Sequence, residues 1–267
     1  MPSDTSLRDK VVILTGGAGL LGSEYARALV EAGAHPVIAD RDARRARRLT
    51  ASLGGLALAV LVDVTDPDSV RRMVRRVLRT CGRIDALVNN AALDPKFDPS
   101  NATRHTISRH TAFEDFPLDL WNQGLAVDLT GMFLCSQAVA PAMLQQGQGV
   151  IVNVSSTYGL VGPDQRLYES GTYKPVVYSV TKSAVLGFTR YLAAYWAGKG
   201  IRVNALTPGG VYNGHDDEFV RRYSARTPLG RMADKSEYCG ALLFLLSDAS
   251  SYMTGANLVV DGGWTAW

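Results

Sequence analysis

The sequence has little cysteine, little histidine and no preponderance of charge. Three cysteines (Cys81, Cys135 and Cys239) and four histidines are scattered through 267 residues. None has ligand-like spacing, which argues against a disulfide framework and a thiolate centre, so no metal site is expected. The sparse thiols suit a reducing compartment, with the cytoplasm as the expected location. Lys plus Arg number 28 against 25 for Asp plus Glu, a net charge of +3. That balance lacks the basic excess of a dedicated nucleic-acid binder. No uncharged apolar run has the roughly 18 residues a membrane span needs. Met1–Lys10 is polar, without an apolar signal core. Neither nucleic acid nor membrane is an expected partner. What the sequence does have is 46% hydrophobic residues, enough for a sizeable core in one domain spanning residues 1–267.

Those residues alternate between two patterns. Short apolar runs occur at Lys10–Thr15, His35–Asp40, Leu56–Val62, Ile84–Asn89, Gly149–Ser155, Ile201–Thr207 and Ala256–Val260. Helical spacing separates them at Leu20–Ala32, Arg41–Leu53, Pro67–Cys81, Trp121–Leu144, within Lys174–Lys199 and at Lys235–Ser247. Short apolar runs between amphipathic helices signal strands buried on both faces. Their alternation predicts an α/β fold, a doubly wound parallel sheet of the Rossmann type in a single domain. Two polar stretches, near 93–117 and 160–175, fit neither pattern, and loops that long are usually functional or disordered.

The first run enters Thr15-Gly16-Gly17-Ala18-Gly19-Leu20-Leu21-Gly22. Gly17, Gly19 and Gly22 match G-x-G-x-x-G, a weak signal alone, strengthened by the strand before it and the helix after it. Without side chains, backbone N–H groups there can approach a pyrophosphate at the positive end of a helix. Gly16, Gly19, Leu20, Leu21 and Gly22 are the candidate cofactor-binding positions of this loop. Asp40 ends the second strand, 18 residues after Gly22. A carboxylate there can accept ribose hydroxyls and would repel a 2′-phosphate, favouring NAD over NADP. Arg41 is the complication, since its guanidinium could accommodate that phosphate.

Tyr178 and Lys182 are four residues apart at the start of an apolar-periodic helix, one turn apart on one face. A free tyrosine has a pKa of about 10, and a nearby ammonium favours the phenolate, so the pair can form a proton relay. Upstream, a strand delivers Ser155 and Ser156 at its carboxyl end, where open parallel sheets bind ligands. Ser155 reads as a turn serine and Ser156 as a donor to a substrate oxygen.

Together these stretches resemble the short-chain dehydrogenase/reductase family over nearly the whole length. The matches are TGGAGLLG at Thr15–Gly22, VDV at Val62–Val64, NNAA at Asn89–Ala92, NVSSTYG at Asn153–Gly159, YSVTK at Tyr178–Lys182, TPGGV at Thr207–Val211 and TGANLVVDGG at Thr254–Gly263. The resemblance implies Ser156 as the substrate-orienting hydroxyl and Tyr178 as general acid/base. Lys182 would bind the nicotinamide ribose and lower the tyrosine pKa. Asp63 and Val64 would flank the adenine, with Asn89 and Ala91 along the cofactor. Pro208, Gly209 and Val211 would line the carboxamide, and Asn213 stands where the family usually has threonine. A homo-oligomer, dimer or tetramer, is implied as well.

The chain departs from the family pattern in three further places. Leu20 stands at the middle glycine of the usual loop. Asp128, in Val127-Asp128-Leu129-Thr130-Gly131, replaces the family's catalytic asparagine and is a candidate proton-relay member. Ser156 and Tyr178 are 22 residues apart, longer than usual, and the excess is the 160–175 stretch. Asp94, Lys96, Arg166, Tyr168 and Lys174 are the candidate substrate contacts in the two long stretches. Lys96, Arg104, His105, Arg109, His110, Arg166 and Lys174 could wall a polar pocket and bind a phosphate or carboxylate. The segment PDQRLY followed by KPVVYSVTK resembles a sugar or flagellin-modification subgroup. The expected activity is NAD(P)-dependent hydride transfer between nicotinamide and a carbonyl or secondary alcohol of a sugar, sugar phosphate or nucleotide sugar. The alternatives are a 3-oxoacyl thioester reductase, a small-alcohol dehydrogenase, and a non-catalytic dinucleotide sensor.

Overall fold

The structure is a computed structural model that describes residues 5–93 and 112–267. Seven strands form one sheet: β1 (Val11–Thr15), β2 (His35–Asp40), β3 (Leu58–Leu61), β4 (Ala86–Asn89), β5 (Gly149–Val154), β6 (Ile201–Pro208) and β7 (Asn257–Val260). Their spatial order is β3-β2-β1-β4-β5-β6-β7, with every neighbouring pair parallel. All five β1 residues are buried, because helices cover both faces of the sheet. Val11 and Ile13 face one layer, while Val12 and Leu14 face the other.

On one side, α1 (Leu20–Glu31), α2 (Ala43–Ser52) and α8 (Cys239–Leu246) bury Tyr25, Leu29, Leu49, Leu242 and Leu245 against the sheet. On the other, α3 (Pro67–Cys81), α5 (Gly131–Gln146) and α6 (Val176–Tyr195) bury Met73, Val77, Val139, Met143 and Leu192. Each fully buried Leu, Met or Val contributes about 1.5–3 kcal/mol relative to exposure. The helix expected from Arg41 starts at Ala43 because the Asp42 carboxylate accepts the N–H groups of Arg44 and Arg45.

Three features were not anticipated. First, α4 (Leu118–Leu125) runs into α5 through a π-helical turn, Ala126–Thr130. Leu118–Gln146 is long and apolar enough to cross a membrane by length and composition, but half of its apolar window is buried inside this fold. Polar positions such as Ser136 and Gln137 kept it from reading as one apolar run. Second, a further helix, α7 (Asp217–Arg226), follows β6. Third, the 160–175 stretch is tied down as one short 3₁₀ turn, Gln165–Leu167, packed near α7. Asp94, Lys96, Arg104, His105, Arg109 and His110 lie outside the described residues.

Candidate active site

The strand order reverses between β1 and β4, and the site lies at the carboxyl ends there. Gly16 has φ +61°, and a Cβ on it would sit 2.8 Å from Ala91 Cα. A Cβ on Gly22 would meet Gly16 O at 2.3 Å. Only glycine permits this packing of turn on helix. Gly19 precedes α1 without a side-chain cap, and the first turn holds no acidic residue. The α1 N–H groups are thus open to an anionic ligand, and the cradle fits a dinucleotide pyrophosphate. Leu20 is exposed there, whereas Leu21 packs on the core.

Asp40 braces the same loop. One carboxylate oxygen accepts the Ala18 N–H at 3.0 Å and the other the Asp42 N–H at 2.9 Å. The Thr15 hydroxyl accepts the N–H groups of Asn90 and Ala91 at 3.1 and 3.2 Å. Asn90 in turn donates its amide to the Thr15 and Gly16 carbonyls. Asn90, which no family motif singles out, is thus a brace of the glycine loop. The Asn89 side chain turns into the interior, donating to Ser136 Oγ and Asn153 Oδ1. Val64, Ala91 and Thr15 line a narrow cleft with Gly131. The Asp63 carboxylate accepts from the Thr65 backbone and hydroxyl.

The catalytic candidates converge on β5 and α6. The Ser155 hydroxyl donates to the Lys182 carbonyl at 2.8 Å, and Ser183 donates to the Gly159 carbonyl. A Cβ on Gly159 would lie 2.6 Å from Lys182 O. The turn carrying Ser156 is therefore stitched to the helix carrying Tyr178. Ser156 is buried and its hydroxyl accepts the Tyr158 N–H at 3.2 Å. Lys182 is 3% exposed, and its Nζ donates to Val154 O at 3.0 Å. That ammonium lies 5.7 Å from the Tyr178 ring centroid.

Asp128 is 1% exposed at the centre of the π turn. Its Oδ1 accepts the Leu93 N–H at 2.6 Å, and the Thr181 hydroxyl lies 3.4 Å from Oδ2. A carboxylate or an amide oxygen can accept that N–H equally well.

The long second stretch divides its candidates. Lys174 is 6% exposed, with Nζ 3.9 Å from the Tyr178 ring centroid. Tyr168 is buried, with its hydroxyl 3.2 Å from that of Tyr158. Arg166 differs from the pocket-lining expectation: it is exposed and held by Asp164 through two hydrogen bonds. Asp164 also pairs with Arg226 of α7, so the stretch is clamped to that helix. The carboxyl of Asp164 is held far below its usual range, chiefly by the Arg166 hydrogen bonds and by Arg226.

After β6, Gly209 donates its N–H to Val260 O, and Val211 bridges to Ala233. The Tyr223 hydroxyl accepts the Gly210 N–H at 2.7 Å, against a glycine that leaves no room for a Cβ. Burial pushes the Tyr223 phenol well above its ordinary pKa. Trp264 is buried and stacks on Tyr223 with ring centroids 4.1 Å apart. Asn213 is exposed, its N–H donating to His215 Nδ1.

A family model described as enoyl-(acyl carrier protein) reductase matches residues 17–265. The chain is 36% identical to D-threitol dehydrogenase of Mycolicibacterium smegmatis, over 98% of this chain and 95% of that protein. It is 37% identical to cis-4-hydroxycyclohexanecarboxylate dehydrogenase of Sinomonas cyclohexanicum, over 97% of each. A short chain dehydrogenase from Leptospira borgpetersenii with bound NAD+ superposes with a TM-score of 0.84 at 31% identity, covering 98% of this chain and 95% of that one. The chain belongs to the short-chain dehydrogenase/reductase family. A gluconate 5-dehydrogenase from Burkholderia cenocepacia in complex with NADP and tartrate gives a TM-score of 0.85 at 32% identity, covering 99% of this chain and 98% of that one. This short-chain dehydrogenase/reductase is an NAD(P)-dependent oxidoreductase acting on CH–OH and C=O groups of hydroxylated substrates.

Proposed function

We propose that the enzyme oxidises a secondary alcohol of a polyol, sugar or sugar acid reversibly, with NAD as the preferred cofactor. The observation that carries this reading is that Val154, Ser155 and Gly159, which flank Ser156, are bonded to Lys182 and Ser183 of the helix that carries Tyr178. The relatives named for D-threitol, hydroxycyclohexanecarboxylate and gluconate support the substrate class. Asp40 supports NAD, since its negative charge beside the glycine loop opposes a 2′-phosphate.

Gly16, Gly19, Leu20, Leu21 and Gly22 would hold the pyrophosphate, with Asp40 and Arg41 at the adenosine ribose. Asp63, Val64, Asn89 and Ala91 would lie along the adenosine half; Pro208, Gly209, Val211 and Asn213 would lie along the carboxamide. The bound nicotinamide supplies the hydride acceptor in oxidation and the donor in reduction. Ser156 donates a hydrogen bond to the substrate oxygen and fixes its direction. Tyr178, as phenolate, takes the hydroxyl proton during oxidation and returns it during reduction. Lys182 holds positive charge beside that phenol, its orientation fixed by Val154 O. Asp128 accepts the Leu93 N–H and so fixes the chain leaving β4. Much of the rate gain comes from holding the reactants in contact geometry. Exposed Phe133 on α5 and Tyr191 and Tyr195 on α6 support a homo-oligomer, which a monomeric sedimentation profile would contradict. Three free thiols support a cytoplasmic setting.

The test is dinucleotide reduction across a panel of polyols, sugar acids, hydroxycyclohexane carboxylates and hydroxyacyl thioesters, with NAD and NADP in parallel. Turnover of a polyol or sugar acid with NAD is expected. Exclusive turnover of acyl thioesters, or a preference for NADP, contradicts the corresponding part.

A further inference from the structure

The 160–175 stretch ends by bringing a second ammonium to the tyrosine. Lys174 Nζ lies 3.9 Å from the Tyr178 ring centroid and 5.8 Å from that of Tyr158. Lys182 Nζ is farther from the Tyr178 ring, at 5.7 Å. The stem of Lys174 is fixed: its N–H donates to Gln165 Oε1 at 2.9 Å, and Pro175 follows as the N-cap of α6. Burial of its side chain removes much of the water that would screen its charge.

We infer that Lys174 is a positioning residue for Tyr178, a second cation on the ring face that favours the phenolate alongside Lys182. This rests on the reading of Tyr178 as the proton-transfer group. A ring face attracts a cation even when the phenol is neutral, through its quadrupole. Ionisation adds a full negative charge, and the attraction then grows as Coulomb's law requires in a water-poor site. The difference between the two states favours ionisation. Lys174 gives up no proton in this role; the phenol proton passes to solvent or substrate.

Other groups act on the same ring, or lie close to it, from every described element packed there. Lys182 on α6 acts with Lys174. Tyr158 after β5, Tyr168 of the long stretch and Tyr223 of α7 form the aromatic cluster on which Tyr178 packs. Asp128 of the π turn lies behind Thr181 and opposes both lysines. Substitution of Lys174 leaves all of these in place.

The experiment is an ultraviolet difference titration of phenolate absorption in the full chain. Subtracting the matching Tyr178→Phe protein isolates one tyrosine among eleven. Lys174→Met is expected to raise the Tyr178 midpoint by about one pH unit or more. Lys174→Gln, with a polar end of similar reach, should do the same, while Lys174→Arg should stay near the parent. With a substrate from the panel, the acid limb of kcat/KM should move upward in parallel. An unchanged midpoint in either neutral variant overturns the inference, as does a rise in KM for carboxylate substrates with no shift in the pH profile. Loss of turnover in Tyr178→Phe with an unmoved Lys174→Met midpoint would defeat this inference alone. Retained turnover in Tyr178→Phe would defeat the functional reading itself.

Discussion

Individual residues decide how closely backbone can approach backbone in this site. Gly22→Ala would put a methyl group 2.3 Å from Gly16 O, so the loop or α1 must move. Stability should fall by about 1–3 kcal/mol, as for other overpacked sites, and dinucleotide affinity should weaken. Urea denaturation and a cofactor titration check this; an unchanged midpoint with unchanged affinity would contradict it. The need for glycine here was legible in the sequence, because the motif sits between a strand and a helix. The division of labour between Asn89 and Asn90 was not. Alternation along β4 sends the first amide inward to Asn153 and leaves the second to brace Gly16. A motif read as letters does not carry that direction. The ring-face seat of Lys174 was equally hidden, since it depends on how the long stretch folds back.

At the scale of elements, that fold-back depends on a clamp. Asp164 joins Arg166 of its own turn and Arg226 of α7. The folded carboxyl titrates below its unfolded value of about 3.9. Its contribution is therefore fully present above that pH and is lost as pH falls through the depressed value. Asp164→Asn should remove the contribution at neutral pH as well. Trypsin cleavage after Arg166 should accelerate several-fold in the variant at pH 7, with the parent protected; equal cleavage rates would show that the clamp does not hold the stretch. The strands and most helices could be read from periodicity, but α7 could not. Tyr223 is its only buried residue, so no apolar repeat marks it. Its remaining signals were the Asp216 cap, an acidic first turn and Arg226 in the last turn. The π turn left no sequence mark, because one extra residue in a turn does not change an apolar composition.

Across the whole molecule, the parallel direction of the strands follows from alternation, while their order is seen only in the fold. Strands joined by helices must run parallel, and the crossovers share one hand, so the ligand crevice falls where the order reverses. The sheet, the glycine cradle and the Tyr178 helix were thus foreseeable together. The walls of the substrate pocket were not, because polar loops carry no period. Turnover depends on one side chain, Tyr178, performing proton transfer beside an intact dinucleotide site. The most direct measurement compares Tyr178→Phe with the parent for NAD affinity and for turnover of the alcohol that the panel identifies. Unchanged affinity is expected, with kcat reduced by about 10²–10⁴-fold, the usual worth of a positioned acid/base. Turnover close to that of the parent would contradict it.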